Sequence, residues 1–299
     1  MKPQVIPAEP DLPWLGPPLD TRPLFVPAQR ALMGTLHALR PDDWQREAVP
    51  GWTVHDVAAH LLGDFYGRLA RERDGHTGGP APAPGEPLAA FIHRINQEWV
   101  DAHARVSPAS LTGALDVAGA GIAAHFAADA LRGPSLGVSW AGAEPAPRWL
   151  DVARDFTEFW THRQQIRHAA GQPTDPAAGP LAAVLDTFMR ALPHTLREAA
   201  APPGTRVRME VTGPAGGAWT ATATGATGAT GDTGEGGTRW SLAAPPGEGE
   251  PDALVRLDAE TAWRLCVRGV EPAAALARAE VTGDRALAET ACRIVSIIR

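Results

Sequence analysis

The sequence predicts an α+β protein: a helical N-terminal region of about two hundred residues followed by a small α/β domain. Two observations carry this. Up to about residue 200, apolar residues recur at helical spacing between short Pro- and Gly-marked breaks. After "AAAPPGT" (199–205) the pattern turns to alternation, as in "RVRMEV" and "AWTATATG", which is the period of a strand. The domain boundary is placed near residue 203, giving domains 1–203 and 204–299, each within the usual range of domain sizes.

Residues 1–22 read as an extended, Pro-rich arm. A helix follows from Phe25 to about Leu39. Pro50 and Gly51 then break the chain, Thr53 is placed to cap a new helix, and Asp56 stands three residues on, a capping-box spacing. That helix can run to about Asp74. "GHTGGPAPAPGEP" (75–87) is a loop by composition. Leu88 to about Val106 is helical, with Phe91, Ile95, Trp99 and Val100 on its apolar side. "AGAGIAAHFAADALRG" is helical and "GPSLGVSWAGAEPAP" irregular. A strong helix opens at Arg148 after Pro147 and stops at Gly171 and Pro173. One more helix is expected at about 180–200.

In the second domain, "RVRMEV", "AWTATATG" and "GTRWSLAA" are strands, with the low-complexity stretch "GATGATGDTGEGG" between the last two. "DALVRLDAE" is a strand entering a helix. "AEVTGDRALAETACRIVSII" is a strand, a Gly-Asp turn and a final helix capped by Asp284.

Composition excludes several classes of function. The net charge of −7 gives no electrostatic case for nucleic acid. No apolar run approaches the roughly 20 residues needed to span a bilayer, and the N-terminus lacks the apolar segment of a signal peptide. The two cysteines, Cys266 and Cys292, match no metal or redox spacing and read as buried reduced thiols of a cytoplasmic protein. Lys2 is the only lysine against 26 arginines, a codon bias of GC-rich genomes.

The chemistry lies in three residues. Glu158 and His162 are four apart on the strong helix, hence on one face, among the apolar Phe156, Phe159 and Trp160. Buried polar groups need partners, and a metal ion satisfies a carboxylate and an imidazole together. His60 sits in the apolar pattern of "GWTVHDVAAHLLGD", in a stripe with Asp56 and Asp64. If its helix lies against the Glu158 helix, His60 faces the pair. Two histidines and a glutamate are a catalytic zinc set that leaves a coordination position open, and Asp56 or Asp64 could orient His60. The alternative is that Glu158 and His162 are an ordinary surface pair and His60 a core histidine. His55 is about 140° around the helix from His60 and cannot share its ion. His76 sits in a loop, and His93, His103, His125, His168 and His194 have no acidic or His partner at ligand spacing.

"VPGWTVHDVAAHLLGD", "VSWAG" and "TEFWTHRQQIRHAAGQP" together resemble the mycothiol-dependent maleylpyruvate isomerase family, within the DinB-like metalloenzymes. The resemblance covers most of the chain. It implies an N-terminal DinB-like four-helix bundle and a C-terminal domain similar to sterol-carrier folds. The family's metal ligands fall on His60, Glu158 and His162, the residues chosen by spacing. Gln165 stands where many relatives have Asp. The family chemistry implies a divalent metal, zinc foremost, and mycothiol as cosubstrate. The thiol would add to, or be conjugated with, a small electrophile. With the coding bias, this is compatible with an actinobacterial source. Arg239, Arg256 and Arg264 could meet an anionic substrate. Two other functions fit the same residues: a thiol-independent hydrolase, lyase or cyclase, and a non-catalytic small-molecule-binding protein.

Overall fold

The computed structural model describes residues 12–226, 238–242 and 249–297. The arm before residue 12, most of the 225–237 loop and the end of "GTRWSLAA" lie outside the described residues.

In chain order the helical part comprises α1 (Arg22–His37), a short antiparallel pair β1 (Glu47–Val49) and β2 (Trp52–Thr53), α2 (Val54–Arg68), α3 (Leu88–His103) and α4 (Pro108–Ala127). A second short pair, β3 (Pro134–Ser135) and β4 (Ala146–Pro147), leads into α5 (Arg148–Ala169), followed by α6 (Ala178–Met189) and α7 (Leu192–Leu196). The remainder is β5 (Arg206–Thr212), β6 (Gly217–Ala226), β7 (Thr238–Ser241), β8 (Ala253–Asp258), α8 (Ala259–Cys266), α9 (Pro272–Arg278), β9 (Glu280–Gly283) and α10 (Arg285–Ala291). The protein is α+β with a five-stranded C-terminal sheet.

Two compact units divide the chain. Among the described residues, one comprises Thr21–Ala130 and Asp155–Pro176; the other comprises 12–20, Leu131–Arg154 and those from Ala177 onward. Helix α5 contributes its first turns to the second unit and the rest to the first.

In the first unit, an aromatic core joins α1, α2, α4 and α5. Phe25 lies 4.7 Å from Phe126 and 5.5 Å from Phe156 between ring centroids, and Phe65 stacks on Phe159 at 4.9 Å. These rings are at most 5% exposed, so each contributes about 3–5 kcal/mol against truncation to alanine. Helix α2 starts with the expected capping box: Asp56 N–H donates to Thr53 Oγ1, and Thr53 N–H donates to Asp56 Oδ2. It extends through a π-helical turn at Leu69–Arg73. Helix α3 packs on α2 where Gly63 leaves room: a Cβ there would lie 2.8 Å from the Trp99 ring, whose indole N–H donates to Ala59 O. At the C-terminus of α5, Gly171 takes φ +74°, a left-handed conformation that ends the helix. The following segment is tied back by Arg163 to Asp175 and by the Asp175 N–H donating to Gln164 Oε1.

In the second unit, the sheet order is β7-β6-β5-β8-β9, with β5 and β8 parallel and the other neighbours antiparallel. Strand β5 buries Val207, Met209 and Val211 on one face and leaves Arg206, Arg208 and Glu210 partly exposed on the other, the period-2 pattern of its sequence. Asp284 caps α10, accepting from Ala286 and Leu287 N–H. The single helix expected at 180–200 is two, α6 and α7. Pro193, which carries no N–H, occupies the first turn of α7. Helix α9 was not expected, and α10 ends at Ala291 rather than running through "RIVSII".

Cys266 and Cys292 are free and buried. Burial pushes their thiols up, to about 12 and about 11. Neither is a nucleophile near neutral pH. The native protein is therefore expected to leave Ellman's reagent unreacted over an hour, and to release two equivalents of thiol in denaturant. Rapid native labelling of either cysteine would contradict this burial.

Candidate functional site

Helices α2 and α5 bring His60 and His162 together. Their ring centroids are 4.8 Å apart and the planes nearly perpendicular. His60 lies on the buried side of α2 with Val57, Ala58, Leu61 and Leu62, and is 8% exposed. Glu158 and His162 form the expected pair, with His162 Nε2 3.4 Å from Glu158 Oε2. A matching pair stands on the facing helix: His60 Nε2 is 3.3 Å from Asp64 Oδ2, again four residues apart. Of the two aspartates considered for orienting His60, Asp64 stands beside its Nε2, whereas Asp56 bonds back to the α2 cap.

The outer nitrogen of His162 is also engaged. Its Nδ1 lies 2.7 Å from Gln165 Oε1. An amide oxygen can only accept, so Nδ1 carries the proton and Nε2 is directed to Glu158. Trp52, at the entrance to α2, covers His60 at 5.1 Å between centroids, and its indole N–H donates to Gln97 Oε1 of α3. Neither Gln165 nor Trp52 was assigned such a contact from sequence. Their only signal was position: three residues beyond His162, and next to the α2 cap.

The two imidazoles differ electrostatically. Burial, then the proximity of His162, lowers His60 to about 3, against a smaller opposing effect of Glu158. His60 is therefore neutral near pH 7, the form that donates a lone pair to a cation. For His162, burial disfavours the charged form most strongly as a single cause. The hydrogen bond to and charge of Glu158, with Asp64 and Gln165, together outweigh it, and the pKa is raised.

Below this site the polar stripe of α2 continues at i,i+4 spacing from Asp64 to Arg68 and Glu72. Arg68 is 4% exposed, and its guanidinium bonds Glu72 at 2.5 Å and Asp155 of α5 at 2.6 Å. His125 of α4 reaches the other oxygen of Glu72 at 3.0 Å. This ion network pins α2 to α5 one turn from Glu158.

Three other histidines serve the fold. His55 meets Val106 O, His103 meets Trp99 O, and His168 meets Thr174 Oγ1. In the second unit, Arg256 is held by Glu210 at 2.8 Å and Glu280 at 2.6 Å, and Arg264 lies 3.6 Å from Glu260.

Among the described residues, no group of three or more His, Cys, Asp or Glu side chains is gathered as a metal-holding set in its present arrangement. Each imidazole Nε2 instead stands against a carboxylate of its own helix. The donor types nevertheless fit a divalent ion: a neutral buried imidazole, a second imidazole with its outer nitrogen already fixed, and a carboxylate within 3.4 Å of it.

The paired histidines and carboxylates on facing helices make this the candidate site of the helical unit. Residues 25–167 match the sequence profile of the mycothiol maleylpyruvate isomerase N-terminal domain, a span that contains His60, Glu158 and His162. This match assigns residues 25–167, just under half of the chain, to that family's N-terminal domain. No curated protein matches the chain. Among solved structures it is similar to a mycothiol-dependent maleylpyruvate isomerase crystallised as a single His-to-Ala mutant. The two share 14% identity, with a TM-score of 0.49, over 87% of this chain and 91% of that one. No helix among the described residues is long and apolar enough to cross a membrane.

Proposed function

We propose that this chain is a metal-dependent enzyme that uses a low-molecular-weight thiol, mycothiol, to isomerise or conjugate a small electrophilic substrate. The observation that carries this reading is the placement of His60 and His162 4.8 Å apart, with Glu158 beside His162, inside the segment that matches the family.

In this reading His60, Glu158 and His162 hold a divalent ion, with zinc the first candidate. When bound, the ion supplies the positive charge that keeps a thiol deprotonated near neutral pH, where a free thiol with pKa about 8.5 is mostly protonated. The chain's residues do the rest. His60 offers a neutral nitrogen, Glu158 offsets the charge, Gln165 orients His162, and Trp52 shields His60 from water. Asp64 places a second carboxylate beside His60 Nε2. The buried cysteines take no part, because the reacting thiol is a cosubstrate.

The helices α1, α2, α4 and α5 are proposed to be the family's four-helix bundle, and the sheet with its helices from about residue 204 to be its sterol-carrier-like domain. A cytoplasmic location belongs to the same proposal.

The test is turnover of a small conjugated electrophile, maleylpyruvate first, by metal-loaded protein with and without mycothiol. Turnover that requires the thiol and is lost in His60→Ala is expected. Equal turnover without thiol would favour a thiol-independent hydrolase, lyase or cyclase. Binding without turnover, unchanged by His60→Ala, would favour a binding protein.

A further inference from the structure

We infer that Gln165 is a positioning residue for the metal centre: its amide oxygen fixes the tautomer and ring orientation of His162, and so sets the affinity of the site with a neutral partner. The inference rests on the metal reading above.

The argument starts from one hydrogen bond. Gln165 Oε1 lies 2.7 Å from His162 Nδ1, one turn further along α5. The oxygen has no proton to give, so Nδ1 is the donor and the Nε2 lone pair is the one offered to a cation. That nitrogen lies 3.4 Å from Glu158 Oε2. In the metal-free protein that nitrogen hydrogen-bonds Glu158, and a cation bound there takes the place of its proton. Without Gln165 the imidazole could rotate or change tautomer and turn its other nitrogen to Glu158. With it, the ring is held in the orientation that a cation needs. Outer partners of this kind typically change metal affinity by 10–100-fold when removed.

The partner is an amide rather than a carboxylate. It orients the ring without adding a negative charge to a centre that already has Glu158 beside His162 and Asp64 beside His60. A carboxylate in the same place would make the ring a stronger donor and draw a cation in more tightly. Affinity should therefore follow the acceptor strength at position 165, in the order Glu, Gln, Leu. All three side chains are good helix formers and similar in size, so the α5 backbone is not the variable.

The experiment measures Co²⁺ and Zn²⁺ affinity by chelator competition, with the Co²⁺ d–d absorption as a second readout. It compares wild type, Gln165→Leu, Gln165→Glu and His162→Ala, each checked for folding by circular dichroism. The expected result is a 10–100-fold weaker Kd and an altered Co²⁺ spectrum in Gln165→Leu. Gln165→Glu should bind at least as tightly as wild type, and His162→Ala should not bind. If wild type binds and His162→Ala does not, but Gln165→Leu equals wild type in both readouts, the positioning role is overturned while the metal reading stands. If wild type binds neither ion, the metal reading fails and takes this inference with it.

Discussion

Replacing Arg68 by alanine is expected to cost about 3–5 kcal/mol of stability, the penalty for removing one partner of a buried ion network. The side chain is 4% exposed and joins Glu72 and Asp155, so its loss takes the guanidinium from two partly buried carboxylates. Packing adds to this, because the guanidinium carbon lies 5.9 Å from the Phe126 ring centre. Urea denaturation of the metal-free protein measures it. A double-mutant cycle with Asp155→Asn should recover part of the loss, because the neutral amide removes one of the two charges that Arg68 offsets. A cost under about 1 kcal/mol would place Arg68 in the class of weak surface pairs instead.

The second large effect is acid lability carried by His60. Its folded pKa is about 3, against an ordinary value of 6.5. Between those values the unfolded chain binds a proton that the folded chain refuses. Stability therefore falls as pH drops below about 6.5. Each unit is worth about 1.4 kcal/mol, so His60 alone accounts for about 2–3 kcal/mol by pH 4.5. His162 has the opposite sign. Its pKa is raised, so its contribution is fully present below its unfolded value and is lost as pH rises through the folded one. It adds little slope in the acid window. The stability of metal-free wild type and His60→Gln, followed from pH 6.5 to 4.5, checks this. The variant should lose markedly less stability over that range. Parallel curves would mean that His60 takes its proton in the folded state.

Much of this was legible because it is local. Thr53 and Asp56 spell the α2 cap, Pro147 and Gly171 bracket α5, and alternation in "RVRMEV" marks β5, the central strand of the sheet. The i,i+4 relation of Glu158 and His162 is likewise a property of one helix. What failed, or was missed, depends on contacts between elements. The stripe His60, Asp64, Arg68 and Glu72 is visible in the sequence, but its importance comes from Asp155 and His125 on other helices. Choosing Asp64 over Asp56 as the neighbour of His60 required knowing that Asp56 turns back to the cap. Gln165 is visible in the sequence as a departure from the Asp of many relatives, but its hydrogen bond to His162 is not. Two differences are local instead: Glu271 followed by Pro272 and an Ala-rich run starts α9, and Pro193 breaks the 180–200 helix.

The most direct test of the central claim is metal content. Protein purified without an affinity tag, wild type beside His162→Ala, is analysed by plasma mass spectrometry before and after reconstitution with Zn²⁺. The account predicts close to one equivalent of a divalent metal in wild type and almost none in the variant. No metal in either protein after reconstitution would contradict it, leaving His60, Glu158 and His162 as a polar contact between two helices.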